Sequence, residues 1–335
     1  MAECAQPLAD FGIETLSEIL DPVELAKHLS GVSLGPWKRG AVEDIQFRVL
    51  KHHVGQRCTL EIGLRTEGGW HFLIGKVYHN DRFDVFQAME KIWQAGFGPR
   101  DEFSIPQPLA YLASMRLLLQ EKVEGAVANE IFKTGDERSR ATAAERCAQW
   151  LARFHAVGPK EGPVFTSERC LSLMRERSRR IVELGGSCAD KAARLRRRLE
   201  DAGAELRLVE MRAGHGSYSP AQLIFAEART VTFDWDGIDV ADPARDVARF
   251  LAALRRLALG KLRFVRALDG AAAVFLRTYL TVGQPDVEEN LRFFLAEACL
   301  TLAAHDFARP GSHWQKKGEA MLDEGLRVAE IGTVL

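Results

Sequence analysis

Residues 213–237 read AGHGSYSPAQLIFAEARTVTFDWDG, an island of strand character inside an otherwise helical half of the chain. His215, Gly216 and Ser217 open it as a polar loop, and Pro220 stops any helix from starting there. QLIFAEA (222–228) and TVTFDWD (230–236) are two apolar runs rich in β-branched and aromatic residues. With Ala228-Arg229 near the turn, that pattern predicts a short hairpin. Its second run ends in Asp234 and Asp236 behind Val231 and Phe233. A carboxylate in such a strand is rarely there for packing, because aspartate is seldom buried without a partner.

Upstream, the period changes. DIQFRVLKHH (44–53), QRCTLEIGLRT (56–66) and WHFLIGKVYH (70–79) are separated by Val54-Gly55 and Glu67-Gly68-Gly69, which predicts a three-stranded antiparallel meander. Asp81 then opens a helix carrying Phe83, Phe86, Met89, Ile92 and Trp93, ended by Gly96 and Gly98. IPQPLAYL (105–112) is extended, and MRLLLQEKVEG (115–125) reads as a buried strand running into a glycine-stopped connection. From Gly125 onward helices dominate; ERCAQWLARFHAV (145–157) keeps Cys147, Trp150, Leu151 and Phe154 on one side, and helices resume at Pro243. At the front, Asp21 caps a helix that has Pro22 in its first position and Glu24 in its first turn, before Gly31, Gly35 and Pro36 break the chain. The expected class is α+β: a helical segment over 1–40, a small antiparallel-sheet lobe over 41–122, and a larger helical lobe over 123–335 with the embedded hairpin.

Composition narrows the function. At roughly 150 residues per domain, 335 residues suggest about two folded units. The 45 basic and 46 acidic residues leave a formal charge of -1, which argues against a general nucleic-acid binder. Cys4, Cys58, Cys147, Cys170, Cys188 and Cys299 form no CxxC pair, so reduced thiols are expected rather than a zinc site. The opening MAECAQPLADFG has neither a basic n-region nor an apolar h-region, and no apolar run reaches 18 residues. A cytoplasmic protein with no membrane and no nucleic-acid partner is expected.

The segment His215–Gln222 followed by Asp234-Trp235-Asp236 resembles the aminoglycoside phosphotransferase and choline kinase-like family of the protein-kinase-like superfamily. That family carries an H-G-D-x-x-x-x-N catalytic loop, a hairpin and a D-[FW]-[DE] metal site. GIDVADPARDVARFL (237–251) is similar to its G-D-P-x-x-D-[LV]-A segment through Asp242, Pro243 and Asp246. LIGKVY (73–78) resembles the strand whose lysine meets nucleotide phosphates, here Lys76, and Glu90 is the matching ion-pair partner. Gly55 falls in the first hairpin, where relatives cover the phosphates, although no GxGxxG is present. LLQEKVEG (118–125) resembles the interlobe hinge, whose backbone at Glu121 would meet an adenine. The resemblance spans about residues 44–330 and implies a two-lobed protein-kinase-like fold.

It also implies phosphoryl transfer from ATP, with Mg2+, to a hydroxyl of a small molecule. Asp234 would hold the metal with Gln222, which stands where the family has asparagine, and Asp236 would be a second carboxylate. The departure is Ser217, at the position of the family's proton-accepting aspartate. A serine hydroxyl is no base at neutral pH, which leaves three readings open: a slow kinase, another base such as Asp236, and a pseudokinase that binds nucleotide or acts as a scaffold. His215 and Asp246 read as structural members of the loop, and His155 as a satisfied core histidine. The arginines Arg175, Arg177, Arg179, Arg180, Arg194, Arg196, Arg197 and Arg198 read as a solvated helix face. Trp314, Phe293 and Phe294 read as core.

Overall fold

The computed structural model describes residues 10–30, 32, 42–283, 286–332 and 334. Cys4, Gly31, Gly35, Pro36 and the opening segment up to residue 9 lie outside the described residues. The chain divides into two compact units, Met1–Glu124 and Gly125–Leu335.

The first unit runs α1 (Leu16–Ile19), α2 (Pro22–Ser30), β1 (Asp44–His53), β2 (Arg57–Thr66), β3 (Gly69–Tyr78), α3 (Phe83–Gln94), β4 (Phe103–Ser104), β5 (Pro108–Leu112) and β6 (Leu117–Glu121). β1, β2, β3, β6 and β5 form one antiparallel sheet in that order. The β1–β2 turn is Val54-Gly55-Gln56, and Gly55 takes the left-handed φ of +69° that the turn requires. The Asp21 carboxylate accepts the Val23 and Glu24 N–H groups at 2.8 and 3.3 Å, as the capping pattern predicts. The helical lead-in is no separate body. Ile13, Leu16, Ile19, Leu25 and Leu29 join Cys58, Leu60, Ile62, Leu73 and Leu117 of the sheet in one buried cluster. On α3 the buried face is Val85, Ala88, Met89 and Ile92, which leaves Phe83 exposed and Phe86 half-buried against Tyr111.

The second unit runs β7 (Ala126–Val127), α4 (Ala128–Thr134), α5 (Glu137–Val157), α6 (Ser167–Val182), α7 (Gly186–Gly203), β8 (Arg212–Gly214), β9 (Leu223–Ala226), β10 (Arg229–Thr232), β11 (Asp239–Ala241), α8 (Ala244–Lys261), α9 (Asp269–Val282), α10 (Val287–Phe307) and α11 (Ser312–Ile331). β9 and β10 are the expected hairpin, paired from Leu223↔Thr232 to Ala226↔Arg229, with its turn one residue earlier than expected at Glu227-Ala228. Under it lies an aromatic core: Trp150 stacks on Tyr218 and Phe154 and meets Trp235, all fully or nearly fully buried. Tyr218 is anchored there by its hydroxyl, which donates to the Cys147 carbonyl at 2.7 Å.

The arginine-rich helices behave as a paired surface. Arg175 meets Glu200 at 2.8 Å, Arg177 meets Glu297 at 2.9 Å, and Arg194 meets Glu330 at 2.5 Å. Phe293 and Phe294 are buried, but Trp314 is not core: it is half-exposed because three cationic side chains, not apolar ones, surround its ring. Cys58, Cys147, Cys170 and Cys299 are buried free thiols, and burial pushes the Cys58 pKa up to about 11. Among the described residues no helix is long and apolar enough to cross a membrane.

If the lead-in is part of the first unit's core, Leu16→Ala should cost about 2–5 kcal/mol, the range for a fully buried leucine that leaves a cavity. Urea unfolding of the full chain measures it; a loss under about 0.5 kcal/mol, the scale of a surface change, would show that the segment does not pack on the sheet.

Candidate functional site

In the second unit, the loop after β8 is held by one carboxylate. Asp246, in the first turn of α8, accepts the His215 N–H at 2.6 Å and the Gly216 N–H at 3.1 Å. Burial opposes its charge, yet hydrogen bonding and attraction from His155, then His215 and Arg245, hold the carboxyl pKa well below its ordinary value. The helix N-terminus favours the same charge. His155 is fixed in turn by Tyr279, 2.7 Å from Nδ1, with Nε2 3.6 Å from Asp246.

Gly216 must be glycine. Its φ is +75°, and a Cβ there would stand 1.9 Å from the Gly237 carbonyl oxygen. Its own carbonyl accepts from Arg249, and Arg245, ion-paired to Asp239, lies beside it. Both arginines escaped the sequence reading. The spacing carried a signal, since Arg249 follows Asp246 by three residues and so shares its helix face.

This frame presents Ser217. The Gln222 Nε2 donates to Ser217 Oγ at 2.9 Å, and Gln222 Oε1 accepts from Ser219 Oγ at 2.9 Å. His215 Nε2 lies 3.1 Å from the Phe233 carbonyl, which can only accept, so Nε2 carries a proton there, and Nδ1 is an acceptor whenever the ring is neutral. Nδ1 stands 3.3 Å from Ser217 Oγ. With that ring neutral, the serine oxygen receives the Gln222 N–H, directs its own proton toward His215, and keeps a lone pair.

The Phe233 N–H donates to the Gln222 carbonyl at 3.0 Å, which ties the end of β10 back to the loop. Asp234 follows with φ +73° and ψ +61°, a left-handed conformation that a non-glycine residue adopts at a cost of order 1–3 kcal/mol. Asp234 and Asp236 are both half-exposed. No group of three or more His, Cys, Asp or Glu able to hold a metal gathers among the described residues. Magnesium bound along with a substrate phosphate needs only one or two carboxylates, and Asp234 fits that demand. Gln222 fits less simply, because its amide already serves Ser217 and Ser219. Asp242 is structural: it accepts from Ala244 N–H at 2.8 Å and Asn290 Nδ2 at 2.7 Å.

In the first unit, Lys76 on β3 is buried, in register with Thr59 and Leu118. Glu90 is not brought to it. Glu90 is exposed, opposite the buried face of α3, and no ion pair to it exists among the described residues. The Gly55 N–H is engaged by the Asp10 carboxylate at 2.8 Å, which also faces His52 Nε2 at 2.7 Å and accepts from Gly12 N–H at 2.9 Å. The Gly55 hydrogen bond, more than any other contact, lowers the Asp10 pKa. Asp10 stands where a sequence reading placed phosphate, and nothing in the sequence pattern flagged it. Glu121 is buried; its N–H donates to the Gln107 carbonyl at 2.9 Å and its carboxylate accepts the Gln107 N–H at 3.0 Å, so that amide already has its partner.

The model of the phosphotransferase enzyme family matches residues 76–292. A choline/ethanolamine kinase family protein from Mesorhizobium loti is similar in structure with a TM-score of 0.59 and 14% identity, covering 91% of this chain and 93% of that one. The macrolide 2'-phosphotransferase MphH from Brachybacterium faecium gives 0.53 and 16%, with 89% and 97% covered. The GDP and kanamycin complex of APH(2")-IIia gives 0.58 and 13%, with 90% and 96% covered. The comparison with curated proteins returns no match.

Asp246→Asn should lower stability at pH 7 by about 1.5–3 kcal/mol, the worth of a hydrogen bond to a charged group. A carboxyl whose folded pKa lies below its unfolded value of about 3.9 stabilises fully above that pH and loses its contribution as pH falls toward the folded pKa. The gap between wild type and variant should therefore be widest near neutrality and narrow below pH ~4 in urea titrations at several pH values. A gap independent of pH would mean that the charge of Asp246 does not hold the loop.

Proposed function

This chain belongs to the phosphotransferase enzyme family, and from that premise we propose that it transfers the terminal phosphoryl group of ATP to a hydroxyl of a small molecule. The observation that carries the reading is the left-handed Asp234 set beside a loop whose backbone Asp246 holds fixed. Strain kept at a half-exposed carboxylate is a mark of function rather than of packing. The protein-kinase-like fold, and the bound GDP named for one structural neighbour, support a nucleotide as donor.

Lys76 supplies a buried, fixed positive charge for the α- and β-phosphates. Magnesium, held by Asp234 with Asp236 and the second lone pair of the Gln222 oxygen at hand, would neutralise charge on the triphosphate. Ser217 Oγ accepts the hydrogen bond of the acceptor hydroxyl through its remaining lone pair and orients that oxygen toward the γ-phosphorus. The acceptor oxygen–phosphorus bond forms as the bond to the β-bridging oxygen breaks, and ADP departs with that electron pair. The hydroxyl proton passes to Ser217 Oγ only as the serine's own proton moves to Nδ1 of a neutral His215, so the imidazole takes up the net proton. The loss of a carboxylate base costs rate, typically ~10²–10⁴-fold, but leaves positioning and electrostatics in place.

A nucleotide-binding pseudokinase is the second reading. Two observations favour it: Glu90 stands away from Lys76, and Asp10 already holds the Gly55 amide. Calorimetry with Mg-ATP, followed by transfer of labelled phosphate to a panel of hydroxylated metabolites, separates binder from enzyme.

Asp234→Asn should weaken magnesium-dependent ATP binding about tenfold or more while leaving the Tm within a few degrees. Unchanged Mg-ATP affinity would remove Asp234 from the metal site. Ser217→Asp, whose carboxylate can accept the Gln222 N–H in place of the hydroxyl, should raise the transfer rate by at least ~10-fold. No change or a fall would show that position 217 is not a weakened base position.

A further inference from the structure

A cavity of about 640 Å³ opens in the second unit, and its wall includes Ser217. That size suits a small-molecule ligand, for which sites run roughly 300–1,000 Å³. The wall carries Lys133, Arg249, Arg256, Lys261, Arg309 and Lys317, and no aspartate or glutamate. Lys133 has Glu130 at 2.6 Å, and Arg256 grips Asp306 through two nitrogens. The other four, Arg249, Lys261, Arg309 and Lys317, have no carboxylate within 4.0 Å among the described residues.

These charges converge. Lys317 Nζ lies 5.1 Å and the Arg309 guanidinium 4.4 Å from the centre of the Trp314 ring, with Arg256 at 5.9 Å. Desolvation, then the Arg256 charge, hold the Lys317 pKa below its ordinary value; desolvation, then Arg177, Arg256 and Arg249, do the same for His305 on the same wall. Most arginines of α6 and α7 are instead paired. Arg175, Arg177, Arg180, Arg194 and Arg196 on α6 and α7 each meet a glutamate. Lys317 and Arg249 feel Asp306 and Glu297 nearby, but these carboxylates are taken up by Arg256 and Arg177, so the cations on this wall outnumber the counter-charge until a ligand supplies more.

We infer that the acceptor is a hydroxylated small molecule bearing an anionic group, a phosphate or a carboxylate, which Lys317, Arg309 and Lys261 receive while its hydroxyl meets Ser217. This rests on the phosphotransferase reading above. An amino alcohol or polyamine would instead meet four cations that have no carboxylate within 4.0 Å among the described residues, so the cavity selects against a cationic acceptor as well as for an anionic one.

The test uses one hexose frame in four charge states: glucose, glucosamine, gluconate and glucose 6-phosphate. Calorimetry without nucleotide, at low and high salt, compares the full chain with Lys317→Gln, Arg309→Gln and the charge-keeping Lys317→Arg. Gluconate and glucose 6-phosphate should bind at least ~10-fold more tightly than glucose or glucosamine, and added salt should erode the difference. Lys317→Gln and Arg309→Gln should each weaken the anions roughly threefold or more, Lys317→Arg should restore them, and Mg-ATP affinity should stay unchanged in all three. Glucosamine binding as tightly as the anions, anions indifferent to both substitutions, or an equal loss of ATP affinity would each overturn the inference. Labelled-phosphate transfer keeps the two readings apart. Transfer that shows no preference for anionic acceptors sinks this inference alone. Anion selectivity with Mg-ATP binding but no transfer to any acceptor sinks the phosphotransferase reading instead.

Discussion

The second unit's chemistry depends on two backbone N–H groups meeting one buried carboxylate. Asp246 accepts from His215 and Gly216, and those bonds set the path of the loop that carries Ser217 and Gln222. Burying that charge is costly unless partners compensate it, and His155, Arg245 and the start of α8 do so. Tyr279 orients His155, and the aromatic core of Trp150, Tyr218 and Trp235 supports the His215 ring from below. The left-handed Gly216 follows from the same constraint, since the backbone must turn under the Gly237 carbonyl with no room for a side chain.

Such a frame does not require an aspartate at 217. The serine is hydrogen-bonded on one side by Gln222 and faces a histidine that, when neutral, keeps its proton on the far nitrogen, so it is an oriented acceptor that is itself no base. Orientation and proton affinity, joined in a carboxylate, are separated here. For a loose phosphoryl-transfer transition state, in which little negative charge need build on the nucleophile before the bond forms, the first matters more than the second.

What the sequence made legible follows from the range of each interaction. Strands, hairpins and caps are local, and residues 44–79, Asp21 and the hairpin after Gln222 declared them through period and turn chemistry. His215, Asp234 and Asp246 were singled out because they stand around that hairpin at the spacings of the family the segment resembles. Long-range partners were not. No period ties Asp10 to Gly55, 45 residues away, or α1 to the sheet core. Glu90 shows the reverse: its pairing with Lys76 was expected from the family resemblance, while the apolar face of α3 turned it outward. Trp314 was misjudged because an aromatic on a helix is usually core, and only the fold reveals that Arg309, Lys317 and Arg256 surround it.

The formal charge of -1 hides the most informative feature of the charge distribution. A total near zero is compatible with evenly paired charges everywhere, and the α6–α7 surface is built that way. It is equally compatible with a few unpaired cations in one place balanced by carboxylates scattered in solvent. Screening over about 8 Å at physiological salt makes the scattered carboxylates nearly invisible to a ligand inside the cavity. The ligand meets Arg249, Lys261, Arg309 and Lys317 at close range, so local pairing and not net charge decides which partners the protein admits.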